Sequence, residues 1–195
     1  MVAGLIFYNK LPEVMPIHFD ISGNPDGYAS RFFAVFGLPT SLLLVHLLVW
    51  FMLSQDPKRY NQYPVMITIV RYTIPTLSIL INTFVYLKVW GYRIDISFLI
   101  MILVGVLFIL IGNYMPKVKQ NYTMGIRTPW TLNSERNWIK THRFGGVMFV
   151  MMGFGMMILA FFKKSSVFLL MLIIVPVVLI YMYSYIIYRR EKDGK

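Results

Sequence analysis

The 195-residue sequence contains no cysteine, which excludes disulfide bonds and thiolate metal sites. It is also poor in charge: Asp, Glu, Lys and Arg make up 14% of the residues, whereas a typical soluble domain has about 25%. The opening octet, MVAGLIFY, lacks the basic start and small-residue cleavage site of a signal peptide, and it is too short to span a bilayer. Low charge, 57% apolar residues and a mean hydropathy of +0.63 together indicate a membrane protein.

Long apolar runs support this interpretation. Four uncharged runs are each long enough for a helix to cross the hydrocarbon core, which takes about 20 residues. A fifth run is less apolar, carries Arg71 near its start, and has polar residues such as Asn82 that suit interhelical hydrogen bonds or a ligand cavity. The sequence therefore predicts an all-α, polytopic membrane protein with five full transmembrane helices. The predicted spans are residues 32–53, 65–87, 96–115, 144–162 and 165–188.

The loops between these spans divide the basic residues unequally between the two sides of the membrane. One side carries six Lys and Arg residues and the other carries twelve. Positive charge concentrates on the cytoplasmic side, so the twelve-residue side and the C-terminus are predicted to be cytoplasmic. The same bias accounts for the net charge of +11, and no direct nucleic-acid binding is expected. The six lie within 9–31, 88–95 and 163–164, and the twelve within 54–64, 116–143 and 189–195.

The outward-facing loop, residues 9–31, is predicted to be extended and not helical. Pro12 and Pro16 favour an extended path, and the sequence NPDG at 24–27 suits a turn. His18 and Asp20 would share one face of an extended segment and could form half of a metal site, but no further ligand lies near in sequence. Three interpretations stay open: a plain polar loop, a metal site, and a surface for ligand or peptide recognition. The candidate residues here are Pro12, Pro16, His18, Gly23, Asp26 and Gly27.

The inner polar segment is predicted to be a loop followed by a helix that Asn133 or Ser134 caps. Arg136, Lys140 and Arg143 recur on one helical stripe with Trp138 on the opposite side, as in a helix lying at the membrane interface. The alternative is a cytoplasmic docking or pocket surface. In that surface we expect Arg127, whose five donors need partners, to pair with acceptors close in sequence: Asn121, Thr128 and Thr131.

The stretch from Gly112 to Gly146 resembles the signature of a family of membrane proteins typified by the immunity protein against a sporulation-delaying toxin, the SdpI family. The family pattern is Gly-Asn, a spaced Asn, then Gly-(Ile/Leu)-Arg-Thr-Pro-Trp-Thr-Leu, a Trp and a closing Arg-Phe. The residues 11–27 similarly resemble a domain of unknown function that often precedes it. Candidate functional residues carried over on this motif are Asn113, Asn121, Gly125, Arg127, Thr128, Pro129, Trp130, Thr131, Trp138 and Arg143.

This resemblance implies a division of the chain into parts. Family members usually have six spans, the first just before the Leu-Pro loop, so MVAGLIFY is expected to be the tail of a shortened first helix that an upstream extension would complete. The expected parts are 1–31, the shortened helix and outer loop; 32–115, three transmembrane helices; 116–143, the cytoplasmic signature loop and interfacial helix; and 144–195, two transmembrane helices and a basic tail.

The resemblance also implies a function. The characterised family member protects its cell from a secreted peptide toxin and takes part in signalling to a repressor. The implied partners are therefore membrane lipids, a peptide toxin and a cytoplasmic repressor, with no cofactor. No catalytic motif such as His-Glu-x-x-His or Gly-x-Ser-x-Gly occurs, and a transporter of a peptide or amphiphile is the main alternative. An enzyme acting on lipid is a third. His46, the ionisable residue deepest in a span, is either a neutral hydrogen-bonded residue of the bundle or a functional site.

Overall fold

The computed structural model describes residues 2–162 and 166–194. Lys163, Lys164 and Lys195, which contribute to the charge bias, lie outside the described residues. The chain begins with a short helix and a two-stranded antiparallel hairpin. Five long helices follow within the described residues, with one short helix between the third and fourth of them. The elements are α1 (Val2–Phe7), β1 (Val14–Phe19), β2 (Pro25–Ser30), α2 (Leu38–Ser54, after a π-helical turn at Phe33–Gly37), α3 (Pro64–Val89), α4 (Ile96–Tyr114), α5 (Pro129–Asn133), α6 (Glu135–Phe162) and α7 (Ser166–Lys192).

Five of the helical segments in the described ranges are long and apolar enough to cross a membrane, which confirms the predicted helical membrane fold. They satisfy their backbone hydrogen bonds internally, as a bilayer requires. The boundaries differ most at α6, which begins nine residues before the predicted span start at 144 because the segment expected to be a separate interfacial helix continues directly into the span.

The loops collect at two opposite ends of the helices. At one end, Lys88 Nζ donates to the carbonyl of Gly23 (2.6 Å) and Ser97 Oγ donates to that of Asp20 (2.6 Å), so the hairpin sits beside the α3–α4 loop. At the other end, Asn61 Nδ2 donates to the carbonyl of Gln120 (2.7 Å), so the α2–α3 loop meets the segment after α4. We call these the hairpin end and the signature end.

The α4 and α6 helices pack most closely because glycines face each other across their contact. A Cβ on Gly112 would lie 2.6 Å from the carbonyl oxygen of Gly146, and a Cβ on Gly153 would lie 2.5 Å from that of Gly105. Small residues let helix backbones approach closely in membranes, where van der Waals packing drives association. This contact fixes α6, which carries much of the signature end.

The hairpin has the predicted extended path, but its turn lies elsewhere. The chain reverses at residues 20–24, where the Asp20 backbone N–H donates to the Asn24 carbonyl (2.8 Å) and the Asp20 side chain accepts from the Asn24 N–H (2.8 Å). Gly23 supplies the positive φ of 83° that the reversal needs. The turn predicted at 24–27 is therefore wrong, because Pro25 and Gly27 already pair with Phe19 and His18 of β1.

Candidate functional site

The signature end is organised around the buried side chain of Asn121. Its Oδ1 accepts hydrogen bonds from the backbone N–H groups of Thr123 (3.0 Å) and Met124 (2.6 Å), and its Nδ2 donates to the carbonyl of Lys119 (2.8 Å). The side chain is completely buried. Since backbone groups away from water need partners, Asn121 holds the loop in one conformation. We call residues 118–134 the signature loop.

Asp56, in the loop between α2 and α3, ties that loop to the signature loop. Its Oδ2 accepts from Thr123 Oγ1 (2.6 Å) and from the backbone N–H of Tyr122 (3.1 Å), and its Oδ1 accepts from the N–H of Lys58 (2.8 Å). Burial alone would raise the pKa of Asp56, but the hydrogen bonds from Thr123, Lys58 and Tyr122 outweigh it, so the pKa lies below its ordinary value. The carboxylate is thus charged at neutral pH and bridges two helical hairpins.

Two glutamines reinforce the same connection. Gln120 Nε2 donates to the carbonyls of Thr131 (2.9 Å) and Leu132 (2.8 Å), while its Oε1 accepts from Lys58 Nζ (3.1 Å). Gln62 Nε2 donates to Thr123 Oγ1 (3.1 Å) and to the carbonyl at the end of α2. The polar atoms of the signature loop are therefore bonded both within the loop and to the α2–α3 connection.

His142 fixes the other side of the signature loop. Its Nε2 lies 3.0 Å from the backbone N–H of Ile126 and must accept from it, and its Nδ1 lies 2.8 Å from the Trp138 carbonyl and must donate to it. These two partners specify a neutral imidazole with the proton on Nδ1. The ring stacks on Trp138 at 4.0 Å between centroids, and Trp138 Nε1 donates to the Val118 carbonyl (2.7 Å).

Gly125 is required beside this histidine. Its φ is +99°, which non-glycine residues rarely adopt, and a Cβ there would overlap the Nε2 atom of His142. The hydrogen bond between Ile126 and His142 can therefore form only with glycine at the preceding position.

The short helix α5 docks the signature loop onto α6 and α7. Thr128 caps α5 in a reciprocal capping box with Thr131, and Pro129 occupies its first turn. Thr128 Oγ1 lies 3.2 Å from Ser184 Oγ in α7, whose carbonyl accepts from Asn137 Nδ2 in α6 (3.0 Å). Both threonines, Asn137 and Ser184 are buried. Buried polar groups this well paired define a unique local structure.

Arg127 does not have the partners expected from the sequence. Its side chain is exposed, and its guanidinium donates to the carbonyl of Tyr122. The prediction that it pairs with Asn121, Thr128 and Thr131 is wrong because those side chains are already engaged by backbone groups and by each other. Arg127 therefore lies on the surface of the loop, available to a partner.

The two tryptophans of the motif pack against other residues of this chain. Trp138 is 1% exposed, so its interpretation as a residue anchored in the lipid interface is wrong; the reason is the packing of the signature loop over this side of α6. Trp130 packs on three tyrosines of α7, with Tyr181 at 5.1 Å between ring centroids. Asn113 is exposed on α4, and Arg136, Lys140 and Arg143 form the exposed stripe that the sequence predicted.

At the hairpin end the structure contains a cavity of about 670 Å³. It lies between β1 and the adjoining parts of α2, α3, α4 and α7, and its volume falls within the range of about 300–1,000 Å³ that is typical of ligand sites. The walls are mainly apolar, with Phe19, Leu38, Ile81 and Ile100 among them, and Ser41 and Asn82 add polar groups.

The outer-loop candidates are distributed around this cavity. Pro16 and His18 line it, and His18 Nδ1 lies 2.5 Å from a carboxylate oxygen of Asp26, across the hairpin. The two residues expected to share a face, His18 and Asp20, thus take different partners. Pro12 is exposed before β1, and Gly27 lies opposite His18. In the described part of the chain no cluster of three or more His, Asp or Glu residues could hold a metal.

His46 lies apart from both sites, on α2. Its Nδ1 is buried and has no hydrogen-bond partner among the described residues. Asn82, the other polar residue expected within a span, lines the cavity. Its amide donates to the carbonyl of Ser78, one turn earlier in α3 (2.7 Å).

Sequence reasoning missed Asp56, Gln120 and His142 as site residues. Asp56 stands in a short connection that carries no motif, and its partners in the signature loop are more than sixty residues away. A local signal existed only for His142, which follows Trp138 by four residues and so shares its helix face.

The fold and these sites define a multi-pass helical membrane protein with a hydrogen-bonded signature loop at one end and a hairpin-covered cavity at the other. Residues 117–188 match the SdpI/YfhL protein family, and residues 1–43 match a domain of unknown function, DUF1648. The chain is 30% identical over 185 residues to the immunity protein SdpI of Bacillus subtilis (strain 168), with 92% of this chain and 84% of that protein covered. No solved structure matches it. The chain therefore belongs to the SdpI family, as the resemblance of its motif predicted.

Proposed function

We propose that this chain is an integral membrane immunity protein that gives its cell resistance to a secreted antimicrobial peptide toxin, by binding and without catalysis. The observation that carries the proposal is the 30% identity to an immunity protein over 92% of the chain. A similarity of that extent includes both the hairpin end and the signature end. Because the two proteins share both regions, we expect them to share the immunity function.

The proposal includes a relay to a cytoplasmic repressor. The α2 and α3 helices line the cavity at the hairpin end, and the loop between them is bonded to the signature loop through Asp56. An occupant that moves either helix would therefore disturb the bonds of Asp56. Arg127, exposed beside Tyr122, is the residue we assign to contact the repressor.

The orientation that this relay needs places the signature end and the C-terminus in the cytoplasm. The twelve-to-six distribution of Lys and Arg supports it. Asn24 is exposed at the hairpin end and Asn133 at the signature end. Because the chain has no cysteine, a single cysteine introduced at either position can be tested in intact cells with a membrane-impermeant thiol reagent. Labelling at 24 and not at 133 is expected, and the reverse result would invert the orientation.

A killing assay tests the immunity function directly. Cells with and without the gene are exposed to a panel of secreted antimicrobial peptides, and the protein is expected to raise the survival of cells treated with at least one of them. Protection against none would contradict the proposal.

A transporter of a peptide or amphiphile is the second candidate, and the cavity favours it because a carrier also needs a binding site within its helices. The two are separated by measuring the flux of a labelled protective peptide in proteoliposomes. Immunity by binding predicts saturable retention without flux, whereas a transporter moves the peptide across the bilayer.

A further inference from the structure

The hairpin is an acidic region in a basic protein. Residues 11–30 contain Glu13, Asp20 and Asp26 and neither Lys nor Arg, although the chain as a whole has a net charge of +11. The described residues include no ion pair between these carboxylates and a Lys or Arg; Asp26 is paired only with His18. Hydrogen bonds from the backbone and side chain of Asn24 hold the pKa of Asp20 below its ordinary value. The hairpin therefore presents negative charge.

Two described basic residues beside the hairpin, Lys88 and Arg31, have partners other than its carboxylates. Lys88 Nζ donates to the carbonyls of Gly23 (2.6 Å) and Ile94 (3.5 Å). Arg31 donates to the Tyr8 carbonyl (2.9 Å), and its guanidinium lies over the Tyr8 ring. These contacts leave the hairpin carboxylates able to attract a positive charge from outside the protein.

The same hairpin covers the apolar cavity. β1 contributes the apolar side chains of Met15, Ile17 and Phe19 to the cavity walls, and Asp20 follows directly at the rim. Apolar walls and an acidic rim thus lie within one short stretch of chain. A ligand with one apolar part and one cationic part would match both surfaces.

We propose that this cavity binds an apolar segment of a cationic amphiphilic peptide, with a Lys or N-terminal ammonium group of the peptide against the carboxylates of the hairpin. The inference rests on the proposed function, because it assigns a chemical class and a binding site to the toxin. An anionic lipid headgroup is the less favourable occupant, since it would face carboxylates that form no ion pair with a Lys or Arg among the described residues. A peptide arriving from outside would meet the hairpin end first in the orientation proposed above.

Direct binding to the full-length protein in nanodiscs of neutral phosphatidylcholine tests the assignment. The probe is a short dansyl-labelled oligoleucine peptide with a pair of lysines, and the matched probe carries a pair of glutamates in their place. We expect the lysine peptide to bind more tightly, by about fivefold for each exposed charge pair that it forms. This preference should fall as ionic strength rises, because salt screens exposed charges.

Two pairs of variants locate the binding site. Ser41 lines the cavity and its neighbour Thr40 does not, although both side chains are exposed, so Ser41→Phe should abolish binding of the lysine peptide and Thr40→Phe should leave it unchanged. Asp20 lies at the rim and Glu13 does not line the cavity; Asp20→Asn keeps the oxygen that accepts from Asn24 and should weaken binding about fivefold, with a smaller effect for Glu13→Gln.

The outcomes separate this inference from the immunity function. Equal binding of the two peptides, or equal binding by the Ser41→Phe and Thr40→Phe variants, would overturn the cavity assignment, as would tightly held phospholipid that the lysine peptide does not displace. If Ser41→Phe blocks binding of the probe but cells with that variant keep full protection, the assignment of the toxin to this cavity is wrong and immunity stands. If the probe binds as expected but the protein protects cells from none of the tested peptides, the proposed immunity function is wrong and the binding site stands.

Discussion

The two ends of the molecule differ in how they use polar groups. At the signature end, Asn121, Thr131, Asn137, Thr141, His142 and Ser184 are completely buried, and each has hydrogen-bond partners. At the hairpin end the cavity walls are mainly apolar, and the charged groups lie on the hairpin that covers them. A fully bonded polar cluster has one low-energy arrangement, whereas an unfilled apolar space can be occupied. The signature end is therefore held in one arrangement, whereas the hairpin end has space for a ligand.

The largest expected loss of stability comes from Gly125→Ala at the signature end. The substitution strains the backbone at a φ of +99° and separates Ile126 from His142, so we expect it to lower the free energy of unfolding by about 3 kcal/mol. The measurement is unfolding by SDS in mixed micelles.

Gly91→Ala is the control for this change. Its φ is +92°, but no atom of the described residues lies within 4 Å of the added Cβ, so only the backbone strain of about 1 kcal/mol should appear. An equal loss in both variants would mean that the contact with His142 contributes nothing.

The second prediction compares two asparagines of the motif. Asn121→Ala removes the acceptor for two backbone N–H groups inside the buried loop, and it should lower the free energy of unfolding by about 2 kcal/mol. Asn113→Ala, at an exposed position, should change it by less than about 0.5 kcal/mol. Similar values in the same SDS titration would contradict the organising role of Asn121.

Asp56→Asn should have a smaller effect that depends on pH. The folded state lowers the pKa of Asp56 below its ordinary unfolded value of about 3.9. The stabilisation is therefore present above that value and is lost as the pH falls through the lower folded pKa. Near neutral pH the substitution should cost about 1–2 kcal/mol. Unfolding measured over an acidic pH series should show a shallower pH dependence for the variant; parallel curves would show that Asp56 does not carry this linkage.

The smallest effect on stability is expected at Arg127. Arg127→Lys keeps the charge at an exposed position, so the free energy of unfolding should change by less than about 0.5 kcal/mol. The planar fork is lost, and under the proposed function protection should fall below that of Arg136→Gln on the exposed stripe. If both variants protect cells as well as the wild type at matched expression, the exposed surface of the signature loop has no role in protection.

Much of the candidate site could be located from sequence, but not its arrangement. The motif pointed to Asn121, Gly125, Thr128 and Thr131, which the structure brings together. It also suggested partners for Arg127 from their closeness in sequence, and those partners were wrong because backbone N–H groups and mutual bonds already engage them. Closeness in sequence does not show which of several competing donors an acceptor takes.

The sequence by itself determined the five spans, the cap of α6 and the family. Each span must satisfy its own backbone in lipid, so composition within about 20 residues decides it, and Ser134 meets the Asn137 N–H within one turn (3.1 Å). Only the tertiary structure decided that Asp56 bonds to Thr123 across 67 positions of sequence, that His142 is neutral with its proton on Nδ1, and that a cavity lies under the hairpin. Such features depend on which helix ends meet in space, and the hydropathy of a single span does not show which other helices it contacts.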